Sequence, residues 1–453
     1  MQAFRRALLL FCLYGTTLAM AQTPPPRKPG LERIGHIIIL FLENRSFDHL
    51  YGTFPGADGV DQAGLSPIQV TRDGRPYISL PPVISTLGAP PTIDVRFKLG
   101  IPNGPFREDQ YVGLNEMTGD PVHRFYQEQE QIDGGRMDKF VAISDVGGLP
   151  MGYFDGSSLN LFQLAREYTL ADHFFHAAYG GAFLNHMWLV CACTPRYPNA
   201  PENLIAEVDP NGHVIRDGVV TPDGYAVNTI EPRSEPHDPG ISDAAQRLPP
   251  QMMPTIGRSL TDAGVSWAWY SGGYAAAASG HADPGFVYHH QPFVYFADYG
   301  SGTPGRIEHL KDERDMLRAI DDRTLPAVSF YKPIGRNDEH PGYADVIHGD
   351  RNAEMIISAI QKSFIWDDAV IIVTYAENGG MWDHVAPPKV DRWGPGTRVP
   401  AIIISRFAKR HFVDHTVYDT TSILKLIETR WHLVPLGERD ADAADLTNAL
   451  DGD

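Results

Sequence analysis

Cysteine is scarce in this chain of 453 residues, which has only Cys12, Cys191 and Cys193. A chain of this length buries enough apolar surface to fold without disulfide bonds. Three cysteines at these positions also exclude a cysteine-based zinc site, which needs more ligands at suitable spacing. Because only one residue separates Cys191 from Cys193, a bond between them would close a tight ring, so we expect both to be buried free thiols.

Positive charge is also under-represented, since 38 Lys and Arg residues stand against 56 Asp and Glu residues for a formal net charge of -18. A surface this acidic argues against nucleic acid or an anionic membrane as a main partner. It does not exclude a phosphorylated substrate, because a bound metal ion reverses the local field. Beyond the N-terminal segment, no apolar stretch is long enough to span a bilayer, so we expect no stable membrane insertion.

The N-terminus has the pattern of a cleavable signal peptide. Arg5 and Arg6 precede a short apolar run, and an Ala-Met-Ala motif ending at Ala21 follows it. A membrane anchor is the alternative, but the apolar run is short and interrupted. We therefore predict a signal peptide over residues 1–21, a Pro-rich flexible leader over 22–32, and export to the periplasm or out of the cell.

The rest of the chain alternates between two kinds of apolar pattern. Runs rich in β-branched residues, typical of buried parallel strands, occupy 34–42, 265–270, 327–331, 369–375 and 399–404. Helical patterns cover 254–263, 350–362 and 420–431. This alternation predicts an α/β fold with a mainly parallel central sheet flanked by helices.

Two long stretches, about 52–120 and 195–250, lack periodicity and are dense in Pro, Gly and Asp. Stretches of this length in a compact enzyme usually cover or shape an active site, with disorder as the alternative. We therefore predict that residues 33–453 form a single catalytic domain in which these two stretches are long loop insertions.

Polar side chains follow two of the predicted strands directly. Glu43 and Asn44 come after the first run, and Glu377 and Asn378 follow the run at 369–375. Ligands of open parallel sheets bind beyond the carboxyl ends of the strands, and carboxylate and amide oxygens suit a hard divalent cation. The alternative is that these side chains cap the next helices or brace loops.

Histidines give a second indication of chemistry. His289 and His290 are adjacent, His340 follows the strand predicted at 327–331, and His123 lies in another polar segment. Most of the 18 histidines need have no function, but imidazoles beside a metal ion can bind phosphate oxygens and protonate a leaving group. The Gly pair before Ala182 opens a helix-like segment and can present backbone N–H groups to an anion.

At these residues the chain resembles the bacterial phosphoesterase family of secreted acid phosphatases and phospholipases C, which belongs to the alkaline-phosphatase-like superfamily. The resemblance runs in family order through HIIILFLENRSFDHLYGTFPG (36–56), DHFFHAAYGGAFLNH (172–186), YHHQPF (288–293), NDEHPGY (337–343) and YAENGGMWDHVAPP (375–388). It implies an alkaline-phosphatase-like fold and metal ligation by Glu43, Asn44 and Glu377. It further implies that His289, His290 and His340 surround the phosphoryl group, joined by His123, and that the site is braced by Asp383 and His384.

The chain departs from the family pattern at two positions. Ala182 stands where the family usually has a Ser or Thr nucleophile, and Ala376 stands where a further carboxylate ligand is common. Three interpretations remain open: direct attack on phosphorus by a metal-activated water, substitution by a nearby group, or a degenerate protein that binds phosphorylated ligands without turnover.

The expected function is metal-dependent hydrolysis of a small phosphorylated substrate, most like that of an acid phosphatase acting on phosphomonoesters. The cofactor is a divalent metal ion of the Ca²⁺, Mg²⁺ or Mn²⁺ class. Alternatives are a phospholipase C that cleaves phosphodiesters and the non-catalytic binder. Because imidazole titrates near pH ~6.5, a protonated histidine as the anion clamp predicts a mildly acidic optimum.

Overall fold

The computed structural model describes residues 23–24, 30–62, 68–210 and 212–451. The predicted signal peptide, residues 1–21, lies outside the described residues, as does most of the predicted leader. Within the described part, apolar side chains from the central sheet and from the helices covering it pack into a continuous core.

Among the described residues, the central sheet has eight strands, and four pairs of short strands lie outside it. In chain order the strands are β1 (His36–Leu42), β2 (Ile84–Ser85), β3 (Thr92–Ile93), β4 (Phe106–Arg107), β5 (Gly152–Tyr153), β6 (Thr169–Ala171), β7 (Phe174–Phe175), β8 (Glu207–Val208), β9 (Val214–Arg216), β10 (Trp267–Ser271), β11 (Leu310–Asp312), β12 (Val328–Lys332), β13 (Ala369–Tyr375), β14 (Ala401–Ser405), β15 (Phe412–Asp414) and β16 (Tyr418–Asp419). The order across the central sheet is β11-β10-β12-β1-β13-β14-β6-β15. The longest strands, β1 and β13, therefore lie side by side at its centre, where both faces are buried.

Strand directions confirm the predicted α/β fold with a mainly parallel sheet. β1 pairs in parallel with β12 and β13, and the β10–β11, β10–β12 and β6–β15 pairs are parallel too. The run at 399–404, predicted as a parallel strand, is the exception, because β14 pairs antiparallel with both β13 and β6. β6 therefore points the same way as β13, and its carboxyl end lies at the same edge of the sheet.

The helices, in chain order, are α1 (Phe47–Tyr51), α2 (Phe125–Ile132), α3 (Asn160–Glu167), α4 (Ala182–Cys191), α5 (Ile256–Asp262), α6 (Tyr274–Ala278), α7 (Pro304–His309), α8 (Glu313–Asp321), α9 (Val346–Lys362), α10 (Thr421–Trp431) and α11 (Glu438–Asp442). α5, α9 and α10 correspond to the three predicted helical patterns. α9 begins four residues earlier than predicted because the Asp345 side chain accepts a hydrogen bond from the backbone of His348 and caps the helix there.

The prediction of free thiols at Cys191 and Cys193 is wrong, because the two residues form a disulfide bond. α4 ends at Cys191, and Ala192 adopts the left-handed conformation with φ 46°. This turn sets the two cysteine Cα atoms 5.1 Å apart, within the range that a disulfide spans. A one-residue spacing therefore does not exclude a bond where a helix ends between the two cysteines.

Candidate active site

Three neighbouring parallel strands end at the candidate site. Leu42 at the end of β1 pairs with Tyr375 at the end of β13, and β12 lies on the other side of β1. The next polar residues along these strands are Glu43, Glu377 and Lys332, all completely buried. The structure thus brings Glu43, Asn44 and Glu377 to one edge of the sheet, as their positions after two strands predicted.

Several buried polar atoms at this edge have no hydrogen-bond partner among the described residues. Four of them are Glu43 Oε2, Asn44 Oδ1, Glu377 Oε1 and Asn378 Oδ1. Leaving such atoms unsatisfied is costly, and all four are oxygen acceptors of the kind that a hard divalent cation takes as ligands. The donor set therefore fits a cation, even though Ala376 removes one carboxylate from it.

The loop after β13 packs closely on Asn44. Gly379 has φ 63°, and a Cβ atom there would lie 2.4 Å from the Asn44 carbonyl oxygen. The other oxygen of Glu377, Oε2, accepts a hydrogen bond from the Gly379 backbone at 2.5 Å. Glycine is needed here because the positive φ and the close approach to Asn44 leave no room for a side chain. The Gly379 N–H fixes Oε2 of Glu377, while Oε1 lies 3.5 Å from His123 Nε2.

Lys332 is a buried cation that the sequence reasoning missed. Its Nζ forms an ion pair with Glu43 Oε1 and lies 3.4 Å from the Leu42 carbonyl oxygen. It is the last residue of β12, so the rule that selected Glu43 and Glu377, a polar residue at a strand's carboxyl end, applies to it as well. The ammonium pairs with Oε1 of Glu43, and the other oxygen, Oε2, has no hydrogen-bond partner among the described residues.

Two histidines flank the same oxygen of Glu43. His290 Nε2 lies 3.3 Å from Glu43 Oε1, and His186 Nε2 lies 4.0 Å from it. His186 was not among the predicted site residues, although its segment was; it projects from α4, where its Nδ1 is 2.6 Å from the Ala182 carbonyl oxygen. The side chains of Glu43, His186 and His290 are close enough to share a metal ion, which gives a second donor set on Glu43.

Burial lowers the pKa of most histidines in the site. The pKa of His289 falls to about 3, first through desolvation and then through the charge of Lys332. Desolvation also lowers the pKa values of His290 and His186, with Lys332 as the next cause. These imidazoles are therefore neutral at neutral pH and offer lone pairs or N–H groups rather than positive charge.

His123 is the exception. Burial by itself lowers its pKa, but Glu377 and Asp120 outweigh burial and raise the pKa to about 9. Its Nε2 lies 3.5 Å from Glu377 Oε1, and its Nδ1 lies 2.6 Å from the Pro121 carbonyl oxygen. His340 lies beside it, with ring centroids 5.5 Å apart, and its own pKa is lowered by desolvation and then by the charge of His123.

A cavity of about 260 Å³ opens beside these side chains. Its lining includes His123, His289, His340, Gly181 and Ala182. The two predicted insertions also contribute to it, the first through Asp120 and the second through Asn228 and Thr229. Ala182 is the first residue of α4, so the cavity faces the positive end of that helix dipole.

Gly180 holds the start of α4 in place. It has φ 86°, and a Cβ atom there would lie 2.4 Å from the Phe125 backbone nitrogen. Its N–H donates to the Glu128 carboxylate, whose other oxygen accepts from Thr397 at 2.9 Å and lies 2.9 Å from His176 Nε2. This buried network sets the position of Ala182 relative to the histidines.

Asp383 and His384 lie beside the site without lining its cavity. Asp383 Oδ1 accepts from Arg398 Nε at 2.9 Å, and His384 Nδ1 lies 2.6 Å from Asp48 Oδ2. Asp48 belongs to α1, which follows the predicted ligands directly. These contacts tie the loop after β13 to α1.

Two solved structures share partial similarity with this chain. A protein in the alkaline phosphatase superfamily from Vibrio parahaemolyticus is 11% identical, covers 72% of this chain and 72% of its own, and has a TM-score of 0.34. A murine ectonucleotide pyrophosphatase/phosphodiesterase is 9% identical, with coverage of 64% and 94% and a TM-score of 0.35.

Sequence comparisons cover more of the chain. Phospholipase C B of Mycobacterium tuberculosis is 25% identical, over 97% of this chain and 81% of that protein. Non-hemolytic phospholipase C of Pseudomonas aeruginosa is 24% identical, over 94% of this chain and 58% of that protein. A model of the Phosphoesterase family matches residues 34–434, from the first strand of the sheet to beyond α10. The chain therefore belongs to the Phosphoesterase family.

Proposed function

We propose that this protein is an exported, metal-dependent hydrolase of phosphate esters that acts on small phosphomonoesters. The observation that carries the proposal is the convergence of unsatisfied oxygen atoms from Glu43, Asn44 and Glu377 at one sheet edge. The cavity lined by His123 and His289 lies beside them. Family membership supports the phosphate ester as the substrate class.

Glu43, Asn44 and Glu377 would hold a divalent cation of the Ca²⁺, Mg²⁺ or Mn²⁺ class, since their free atoms are hard oxygen donors. Such a cation supplies Lewis-acid stabilisation of phosphoryl oxygens and lowers the pKa of water. Desolvation raises the pKa of Glu43, and Lys332 opposes that shift while its ammonium fixes one carboxylate oxygen in the absence of the cation.

His123 is the group that we assign to charge and proton handling. Its Nδ1–H is held by the Pro121 carbonyl, which leaves the Nε2–H beside Glu377 and the cavity. There it can bind a phosphoryl oxygen and donate a proton to the leaving oxygen. The carboxylates of Glu377 and Asp120 raise its pKa to about 9, which favours the protonated form that a proton donor needs.

The neutral imidazoles of His289, His290 and His340 complete the proposed phosphoryl site. His289 and His340 line the cavity, and His290 stacks on His186 with ring centroids 5.2 Å apart. Neutral imidazoles donate hydrogen bonds to phosphoryl oxygens without adding charge to a site that already holds a cation and Lys332.

A cavity of about 260 Å³ is smaller than the ~300 Å³ at which pockets for drug-sized ligands begin. We therefore expect kcat/KM for a chromogenic phosphomonoester to exceed that for a phosphocholine diester by at least ~10-fold, because a diester adds a second organic group to the ligand that this small cavity has to accommodate. Steady-state kinetics on both substrates measure the ratio. A larger value for the diester would favour phospholipase C, the activity named for relatives of this chain.

The non-catalytic binder remains the second candidate, because Ala182 at the entrance of α4 has no nucleophilic atom. Binding of phosphate or vanadate in the presence of metal, without turnover of either ester, would identify the protein as a non-catalytic binder. Retention of His123 beside Glu377 supports hydrolysis instead, since a binder needs no group placed to protonate a leaving oxygen.

Metal affinity is expected to rise with pH. The buried Glu377 carboxyl has a pKa raised to about 8, chiefly by desolvation. Below that pH the cation must displace a proton, so the association constant should rise about tenfold per pH unit and level off above about pH 8. Titration calorimetry with Mn²⁺ in two buffers of different ionisation enthalpy measures both the slope and the proton release; a flat profile without proton release would contradict the assignment of Glu377.

Export rests on the predicted signal peptide and remains part of the proposal. Among the described residues, no helix is long and apolar enough to cross a membrane. N-terminal sequencing of the protein recovered from its native host tests the proposal, and we expect the mature chain to begin near Gln22. Recovery of an intact N-terminus from the cytoplasm would contradict it.

A further inference from the structure

A second group of metal-ligating side chains lies at the same edge of the sheet, away from the candidate active site. Asp172 follows β6 directly and His415 follows β15 directly, and the two strands pair in parallel with Ala171 opposite Asp414. Across the sheet, β6 is two strands from β13 and three strands from β1, which corresponds to ~9 Å and ~14 Å at the usual strand separation. The group is therefore separate from the ligands after β1 and β13.

Two imidazoles converge there on one carboxylate. Asp172 Oδ1 lies 2.8 Å from His173 Nδ1 and 3.0 Å from His415 Nδ1, and Oδ2 lies 2.8 Å from His415 Nδ1. The ligand atoms of all three side chains lie within 4.8 Å of one another. Separations of this size allow the three groups to reach a single ion with small side-chain rotations, because metal–nitrogen and metal–oxygen bonds are each ~2.0–2.2 Å.

The group continues inward as a row of acids and histidines. The Asp58 backbone N–H donates to Asp172 Oδ2 at 2.8 Å. The Asp58 carboxylate lies 3.5 Å from His173 Nε2 and 3.0 Å from His384 Nε2. His384 in turn contacts Asp48 at 2.6 Å. His173 thus has a carboxylate on each side, and its Nε2 is held by Asp58 while its Nδ1 faces Asp172.

Carboxylates outnumber the fixed positive charges in this row. Four carboxylates belong to it, those of Asp48, Asp58, Asp172 and Asp383. Arg398 contacts Asp48 and Asp383, and His384, whose pKa is raised to about 9 because its bond to Asp48 outweighs burial, contacts Asp48 and Asp58. The side-chain partners of the Asp172 carboxylate are instead the two imidazoles. A divalent cation there would supply to Asp172 the positive charge that Arg398 and His384 supply to the other three carboxylates.

We propose that Asp172, His173 and His415 form a second metal site that binds a divalent transition-metal ion such as Zn²⁺ or Co²⁺. Two imidazoles and one carboxylate are a ligand set for borderline transition metals, whereas Ca²⁺ and Mg²⁺ prefer oxygen ligands throughout. Asp58 orients His173 from behind, as outer-shell carboxylates do at metal sites. The ion would join the ends of β6 and β15 to the loop that carries Asp58.

The test is titration of Co²⁺ into the chelator-stripped, full-length mature protein, followed by calorimetry and visible absorption. The H415A variant is expected to bind one equivalent fewer than wild type, with more than ~100-fold weaker binding at this site, since even outer-shell partners contribute about 10- to 100-fold. H213A is the matched control, because His213 is also an exposed histidine beside an aspartate, with its Nδ1 3.2 Å from Asp209. It should bind as wild type does.

The variants separate this site from the proposed active-site cation. The His415 side chain is 61% exposed, so H415A should fold normally and retain phosphomonoester turnover. E377Q should lose the active-site cation and keep the Co²⁺ absorption that depends on His415. Equal Co²⁺ stoichiometry and affinity in wild type and H415A would overturn the proposal and leave the two imidazoles as hydrogen-bond partners of Asp172 only.

Discussion

Replacing Ala182 by serine is expected to raise phosphomonoester turnover by at least ~100-fold, the lower end of what an activated nucleophile with acid–base assistance contributes. Ala182 lines the cavity together with His123 and His289, so a hydroxyl there would face the proposed phosphoryl site. It would also lie at the first residue of α4, where the helix dipole favours developing negative charge. Steady-state kcat values for wild type and A182S measure the effect.

An isosteric pair of variants provides the control. Threonine and valine have nearly the same shape, so A182T and A182V should perturb the cavity equally, and only A182T should gain turnover. If A182S and A182T bind the metal ion but remain no faster than wild type, Ala182 does not occupy the nucleophile position. An equal gain in A182V would instead indicate a change in cavity shape rather than a nucleophile.

The second large effect concerns the buried pair of Glu43 and Lys332. Both side chains are completely buried and form an ion pair. E43Q is expected to destabilise the protein by about 3–5 kcal/mol, because it leaves the Lys332 ammonium buried without its counter-charge. The free energy of unfolding should be measured by urea denaturation with chelator present, so that metal binding does not contribute to the difference.

A double variant separates stability from chemistry. E43Q/K332M replaces the pair by neutral groups of similar size, so most of the lost stability should return. Metal binding and turnover should stay absent, because a ligand carboxylate is still missing. The double-mutant cycle with K332M gives the coupling energy of the pair. A coupling energy near zero would show that Lys332 does not neutralise Glu43.

The positions of Glu43 and Glu377 were predictable because two simple rules coincide. Near-continuous apolar runs mark strands buried on both faces, and the carboxyl ends of parallel strands meet at one edge of the sheet. Lys332, the last residue of β12, obeys the same rules but was missed, because a positively charged side chain is not a metal ligand. Its ion pair with Glu43 shows that a residue at a strand end can support a proposed metal ligand without itself binding the metal.

Other features depend on tertiary contacts that the sequence pattern does not contain. The direction of β14 is invisible in its composition, because a strand buried on both faces has the same apolar residues in either direction. His186 became a neighbour of Glu43 only through the packing of α4 against the sheet. The pKa of His123 is raised and that of His289 is lowered because only His123 lies beside Glu377. The spacing of the histidines in the sequence does not predict which of the two lies there.

The most direct test is turnover of a chromogenic phosphomonoester by the mature protein after metal removal and after readdition of Mn²⁺ or Ca²⁺, with E377Q measured in parallel. We expect the stripped wild type to be inactive, one equivalent of bound ion to restore turnover, and E377Q neither to bind the ion nor to recover. Turnover that survives complete metal removal, or an E377Q protein that binds and responds like wild type, would contradict it.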